Sequence, residues 1–300
     1  MFHKNCYHRF KLSILLGSVL WVTLLSLVGC KTVPISVLTR AVLEIHVIDV
    51  GYGESLLLKT PTQRFMLWDG GYPEKGPIVC DYLSQQGVRH LDLIVNSHPH
   101  PDHIGGLSTV LSHFSVTEIW GSHALDFPEI PNDFREMVSE TQTPYKIVRR
   151  GHTWQWTDQI ALEILHPVQL VPDLNDSSLV CRLSFGRTII LLTADIGPAA
   201  QQELLSNFGS SLRSTFMTVP HHGGISHLPF FKIVNPDLIS LSVGENPWGN
   251  PKAQTLEFLK NMGLTIKRTD ELGSLVFRCD DEGKINPAYP DQNTASQVDK

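Results

Sequence analysis

The stretch Ser97-His98-Pro99-His100-Pro101-Asp102-His103-Ile104-Gly105-Gly106 gathers three imidazoles and a carboxylate within six residues. Once water is excluded each ring needs a hydrogen-bond or metal partner, so a divalent cation is the natural occupant. His98 and His100 are two apart; along an extended segment they face the same way and can grip one ion. Asp102 and His103 lie just past the bend and can serve a second ion. Pro99 and Pro101 remove backbone donors and stiffen the loop, while Gly105 and Gly106 let the backbone pass close to the site.

The elements that must hold this loop are legible on both sides. Leu91 to Val95 reads as a buried strand, and Leu107, Val110 and Leu111 are spaced like one face of a helix, so the histidines sit at a strand-to-helix turn. Upstream, Leu43 to Val50, Ser55 to Lys59 and Arg64 to Leu67 read as an antiparallel meander, turned at Gly51-Tyr52-Gly53 and Pro61-Thr62-Gln63 and ending at Trp68-Asp69-Gly70-Gly71. A helix over Gly76 to Gln86 stops at Gly87. Glu118 to Gly121 and Tyr145 to Val148 are strands around a helix at Asp133 to Glu140, closing the first half near residue 150.

The second half is expected to repeat the plan. Ile160 to Leu165, Leu179 to Phe185 and Thr188 to Leu192 are strands, the last ending at Thr193-Ala194-Asp195. An unpaired carboxylate at the end of an apolar strand is costly, so Asp195 needs a partner; the structural reading is a helix N-cap before Pro198. A helix from Pro198 through Leu205 and a strand at Phe216 to Val219 lead into Pro220-His221-His222-Gly223-Gly224. Leu238 to Val243, a helix at Ala253 to Asn261, Leu264 to Lys267 and Ser274 to Phe277 complete the series. Strands inside each half with helices between them predict an α/β fold, a four-layer αββα sandwich with two sheets face to face.

The first motif resembles the H-x-H-x-D-H signature of the metallo-β-lactamase superfamily. More narrowly, it resembles the soluble C-terminal domain of ComEC competence proteins, S-H-x-H-x-D-H-I-G-G. The resemblance runs from about Val42 to Phe277. It includes the opening "DVGQGD" and "IDTG" pattern, although Tyr52 and Glu54 replace the usual Gln and Asp. It implies that Asp195, matching the Asp of "TGD" with Ala194 in place of Gly, bridges two metals. His221-His222 resembles "HHGS" and implies His222 as a ligand of the second metal, with His221 supporting it or touching substrate; the reverse order stays open.

Where most members have a third His for the first metal, Asn175-Asp176-Ser177-Ser178-Leu179-Val180 resembles "NNxSLV". Asp176 or Asn175 would supply oxygen there and soften the site towards manganese. His166 is the rival, with a structural role as its alternative. The mechanism implied is two divalent ions, zinc or manganese, about 3.5 to 4 Å apart, sharing a hydroxide that attacks phosphorus or a carbonyl carbon. Asp102 would orient that hydroxide as well as bind the second metal.

The ComEC resemblance favours phosphodiester hydrolysis, with single-stranded or extracellular DNA as the leading substrate. One departure bears on this: "GENxYGHP" appears as Gly244-Glu245-Asn246-Pro247-Trp248-Gly249-Asn250-Pro251. Asn250 thus stands for a His expected to face the cleft as proton donor or phosphate contact. The other readings are hydrolysis of a phosphorylcholine ester or a lactam, and a non-catalytic binding lipoprotein that keeps the fold. With no channel segment after its leader, the chain is expected to act beside a transporter or to scavenge phosphate rather than to conduct DNA itself.

The chain has 300 residues, 42% of them apolar, enough for one large domain or two small ones. Lys4, Arg9 and Lys11 precede an apolar stretch from Leu12 to Val28, and Leu27-Val28-Gly29-Cys30 ends it. This resembles a bacterial lipoprotein signal over 1–29 with Cys30 lipidated, the alternatives being a plain membrane anchor or an ordinary cleaved signal peptide. Either way the body is expected outside the cytoplasm, held to a membrane by lipid in the favoured case. A linker over 30–41, a domain resembling the metallo-β-lactamase fold over 42–279 and a loose polar tail over 280–300 would follow.

Removing the leader takes away three cations and no anion, moving the formal charge from −6 to −9. An acidic body offers no general steering towards nucleic acid, so a polyanion would have to be held locally. Cys80, Cys181 and Cys279 each fall in an apolar stretch and are expected to be buried thiols, and no C-x-x-C pair suggests a zinc knuckle.

Overall fold

The computed structural model describes residues 40–288. The leader over 1–29, Cys30, the linker up to residue 39 and the tail from residue 289 lie outside them. Among the described residues no helix is long and apolar enough to cross a membrane.

The first part runs β1 (Leu43–Val47), β2 (Leu56–Lys59), β3 (Phe65–Trp68), α1 (Gly76–Gln85), β4 (His90–Leu91), β5 (Leu93–Asn96), α2 (Pro101–Ile104), α3 (Leu107–His113), β6 (Ser115–Val116), β7 (Ile119–Gly121), α4 (Asn132–Thr141) and β8 (Tyr145–Ile147). The second runs β9 (Thr153–Gln155), β10 (Ile160–His166), β11 (Val180–Phe185), β12 (Thr188–Leu192), α5 (Pro198–Phe208), β13 (Phe216–Thr218), α6 (Leu228–Val234), β14 (Leu238–Leu241), α7 (Ala253–Asn261), β15 (Ile266–Arg268), α8 (Thr269–Leu272), β16 (Leu275–Cys279) and β17 (Ile285–Pro287).

Side-chain alternation sorts these strands into four layers. In β3, Met66 and Trp68 enter the core between the sheets, while Phe65 and Leu67 pack outward with α1, α3 and α4. In β12, Ile190 and Leu192 face the same central core, and Leu191 faces α5, α6 and α7. The result is the expected αββα sandwich. One sheet has the order β17-β16-β1-β2-β3-β5-β7-β8 and the other β15-β14-β13-β12-β11-β10-β9.

Two expectations are corrected at the C-terminus. The segment Ser274 to Phe277, assigned to the second half, returns as β16 to the first sheet, pairing antiparallel with β1. The folded domain does not end at residue 279, because β17 pairs with β16 through the register Phe277↔Pro287 to Cys279↔Ile285. Polar residues 280–288 look like a tail, but the chain hairpins there: the Lys284 carbonyl accepts from Asp280 N–H at 3.0 Å, and Arg40 reaches the Asp280 carboxylate at 2.7 Å.

Within each sheet the strands nearest the loops are parallel and joined by helices: β3-β5-β7-β8 in one, β12-β13-β14-β15 in the other. Parallel α/β sheets open a crevice beyond the carboxyl ends of their strands. Here those ends are the starts of the loops carrying Asp69, His98 to His103, Asp195, His221 and His222, and residues 244–251. Cys80, Cys181 and Cys279 are free and buried as expected, and burial pushes the Cys181 and Cys279 thiols up to about 12.

Candidate metal centre

The first loop is held in place by Asp69, whose carboxylate is fully buried at the end of β3. It accepts three hydrogen bonds: Ser97 N–H at 2.8 Å, Ser97 Oγ–H at 2.6 Å and His103 Nδ1–H at 2.8 Å. With its hydroxyl hydrogen committed to Asp69, Ser97 Oγ can only accept from His98 Nδ1, 3.0 Å away. Asp69 therefore sets the tautomer of two histidines and turns the Nε2 lone pairs of both His98 and His103 into the cleft. The glycines serve close packing: a Cβ on Gly106 would lie 2.1 Å from the Gly70 carbonyl oxygen, and one on Gly105 2.3 Å from the Pro73 ring.

Four side chains from loops far apart in sequence meet beside this scaffold. His103 Nε2 lies 3.3 Å from Asp195 Oδ1 and 3.9 Å from Asp102 Oδ2; His222 Nε2 lies 3.4 Å from Asp102 Oδ2 and 3.5 Å from Asp195 Oδ1. Their donor atoms all fall within 4.8 Å of one another, and all four residues are buried. His222 donates its Nδ1 hydrogen to the Ser242 carbonyl at 2.9 Å, so its Nε2 also carries a lone pair. Neither His103 Nε2 nor His222 Nε2 has a hydrogen-bond partner. Two partnerless imidazole nitrogens and two buried carboxylates form a donor set that fits a zinc- or manganese-class cation.

His98 and His100 converge beside this group, with ring nitrogens 2.9 Å apart and ring centroids 4.7 Å apart. The third position of that pair is differently arranged from the sequence expectation. Asp176 Oδ1 accepts the Gly197 N–H at 2.8 Å, bracing the N-terminus of α5, and Asn175 Nδ2 lies 3.5 Å from His221 Nε2. The rival His166 is committed elsewhere, with Nε2 donating to the Asp176 carbonyl at 2.8 Å and Nδ1 3.3 Å from Glu203. Gly197 is the N-cap of α5, and the carboxylate that braces this start is that of Asp176; Asp195 is thus free of the structural role that competed for it. His221 is partly exposed, its Nε2 3.9 Å from Asp195 Oδ2, and Asn250 lines the same cleft.

Backbone strain concentrates at these loops. Asp69, Ala194, His221 and His222 all have left-handed φ, at 56°, 44°, 52° and 50°. Each such non-glycine residue costs about 1–3 kcal/mol and persists where surrounding structure over-determines it. Positive φ at residue 194 suits the glycine of the related pattern; Ala194 is held in that conformation with its carbonyl fixed by His221 N–H at 3.0 Å.

Electrostatics follow from burying carboxylates among imidazoles. Burial works against a charged His103, yet Asp195, Asp102 and Asp69 outweigh it and raise its pKa well above the ordinary value; His222 is raised by the same contest, chiefly through Asp195. Burial would raise Asp195, but His222 and His103 hold it well below the usual carboxylate range, and Asp102 is lowered likewise by His103 and His222. His98 is pushed well down by burial, with His103 adding to the effect. Beneath the cage, Glu54 is pushed up to about 8 by burial, and its Oε2 has no partner.

Sequence reasoning left Asp69, Ser97 and Ser242 without roles. Asp69 ends an apolar strand as Asp195 does, so the same cost argument would have singled it out. Ser242 acts through its backbone carbonyl, which no side-chain pattern reveals. Above the cage lies a cleft of about 740 Å³, walled by Tyr52, Tyr72, Trp248, Ile225 and Asp173, with Lys252 the one lysine or arginine in its lining among the described residues.

The model of the metallo-β-lactamase superfamily matches residues 48–230. The chain is 26% identical over 275 residues to ComE operon protein 3 of Bacillus subtilis, covering 84% of this chain and 35% of that protein. It is 28% identical over 233 residues to competence protein ComA of Neisseria gonorrhoeae, covering 76% and 31%. The chain thus spans about a third of the length of these relatives. Among solved structures, Igni18, a metallo hydrolase from Ignicoccus hospitalis, aligns with a TM-score of 0.52 at 12% identity, covering 78% of this chain and 98% of that one. That likeness is one of fold.

Proposed function

The chain belongs to the metallo-β-lactamase superfamily, whose model covers more than half of it, and from that premise we propose that it is an extracytoplasmic metal-dependent phosphodiesterase using two divalent cations, zinc or manganese. The observation that carries the reading is the pair of buried, partnerless Nε2 atoms of His103 and His222 facing Asp102 and Asp195.

Held there, the cations supply Lewis acidity, giving hydroxide near neutral pH and offsetting charge at phosphorus. The chain's own residues do the rest. Asp69 and the Ser242 carbonyl keep both imidazoles in the metal-binding tautomer. Asp102, His103, Asp195 and His222 would hold one ion. His98 and His100 offer their converging nitrogens to the other. Asp102, which lines the cleft, would also orient the nucleophile.

Nucleic acid is the leading substrate class because the Neisseria gonorrhoeae relative is named a competence protein. One observation keeps a second reading, a small ester such as phosphorylcholine: beside its lone lysine the cleft presents Asp173, Asp176 and three aromatic rings. Acidic walls disfavour a long polyanion and suit a cationic head on aromatic faces. Manganese- or zinc-loaded protein should therefore be given bis-p-nitrophenyl phosphate, labelled single-stranded DNA, p-nitrophenyl phosphorylcholine and nitrocefin, with chelated protein alongside. Turnover of the diester and DNA, lost on chelation, is the expected result. Turnover confined to the phosphorylcholine ester would transfer the assignment to the second reading, and activity indifferent to chelation would defeat both.

For location, the reading is that Cys30 carries lipid and tethers the body to a bacterial membrane. Cys30→Ser should move the protein from the membrane to the soluble fraction of cells; unchanged attachment with an unlipidated mature chain would exclude the anchor.

A further inference from the structure

Tyr52 occupies a turn with no room to swing. Gly51 and Gly53 have φ of 70° and 126°, a Cβ on Gly53 would lie 2.5 Å from the Asp102 carbonyl oxygen, and a Cβ on Gly244 would lie 2.5 Å from Gly51 C and 2.6 Å from Tyr52 N. The residue is clamped between α2 and the 244–251 loop. Its ring packs 4.4 Å from the His222 ring and 4.7 Å from that of Trp248. Trp248 is held by a loop whose Asn246 amide donates to the carbonyls of Gly244 and Asn250 at 2.8 and 2.7 Å.

The phenol oxygen accepts a hydrogen bond from Asn250 Nδ2 at 3.2 Å, and among the described residues nothing accepts the phenol's own hydrogen. That hydrogen therefore belongs to the cleft, which Tyr52 lines together with Asp102 and Asp195.

Resting on the phosphodiesterase reading, we propose that Tyr52 is a catalytic residue whose hydroxyl donates a hydrogen bond to the ester oxygen leaving phosphorus. Asp102, His103, Asp195 and His222 would be taken up in holding the cations, so a protein donor to the departing oxygen has to come from the wall outside the cage, where Tyr52 stands. In the step, the oxygen of water bonds to phosphorus and gives its proton to solvent. The P–O ester bond breaks with its electron pair on the leaving oxygen, and that oxygen takes a proton from solvent. The phenol keeps its own hydrogen throughout, so its worth grows with the charge left on the departing oxygen.

Tyr52→Phe keeps both ring contacts and removes only the donor. It should be compared with the wild type on two diesters of one skeleton, bis-p-nitrophenyl phosphate and diphenyl phosphate. A hydrogen bond to a charged oxygen is worth tenfold or more in rate, so kcat should fall by more than about tenfold for the poorer leaving group and less than about threefold for the better one. KM and metal per chain should not change. Asn250→Ala should cost activity in the wild type and nothing further in the Tyr52→Phe background, because it acts by orienting the same hydroxyl. Equal losses on the two diesters, no loss on diphenyl phosphate, or metal lost with activity would each overturn the assignment. A wild type inert towards both diesters would instead defeat the phosphodiesterase reading on which it rests.

Discussion

Asp195→Asn should lower diester turnover by about 10³-fold or more and leave the dialysed protein short of metal, while the chain stays folded. The carboxylate is buried at the end of β12 with oxygens 3.3 Å from His103 Nε2, 3.5 Å from His222 Nε2 and 3.9 Å from His221 Nε2. The amide has the same shape but no charge, and it turns an N–H₂ towards lone pairs that must face a cation. Lewis-acid assistance is worth several kcal/mol, and each 1.36 kcal/mol is a decade in rate, which sets the scale of the loss. Folding should survive because Asp195 caps no helix and the amide keeps its shape at the end of β12. His221→Ala, at the partly exposed edge of the same carboxylate, should cost only about tenfold by comparison. Metal per chain by mass spectrometry and turnover of bis-p-nitrophenyl phosphate decide the matter. A variant with full metal and wild-type rate would reduce Asp195 to packing.

That expectation was legible in the chain because the reasoning behind it is local. Asp195 follows an apolar run, and burying an unpaired carboxylate there is costly whatever the fold. The layer order was legible for the same kind of reason: Met66 and Trp68 on one face and Phe65 and Leu67 on the other state a two-sided strand without reference to its neighbours. Pairing across long separations was not. The return of β16 to β1 joins residues more than two hundred apart, and β17 is a polar edge strand made regular by its partner alone. The same limit applies in the site. His166 and Asp176 looked like spare ligands because nothing in their own segments reveals that each completes the other's loop or a helix start. Asp69 stayed in the background because its work, setting two tautomers, exists only once β3 and β5 lie side by side.

Metal-dependent stabilisation should grow as pH rises from 5 to 8, since the same lone pairs are contested by protons. In the stripped protein the pKa values of His103 and His222 lie above the ordinary 6.5, so burial is overcome by Asp195 and Asp102 only while the rings are charged. Their contribution to folding is fully present below pH 6.5 and is lost as pH climbs through the raised values. Glu54, held up to about 8 by burial, has the same sign. Asp102 and Asp195 have the opposite sign: lowered below 3.8, they stabilise above that pH and lose the contribution as pH falls through their folded values. Stripped protein should therefore be most stable in mildly acidic buffer. A cation takes the place of the protons and needs both Nε2 atoms bare, so its affinity climbs with pH. With metal at about a thousandfold over Kd the stabilisation reaches about 4 kcal/mol, and it should shrink towards nothing near pH 5. His123, whose pKa burial lowers to about 4, destabilises on acidification in both forms and so cancels from the difference. The measurement is the unfolding midpoint in urea with and without chelator at pH 5, 6.5 and 8. A metal-induced shift that is flat or falls with pH would mean that these imidazoles do not meet the cation, and that the cage around Asp195 is only a network of buried ion pairs.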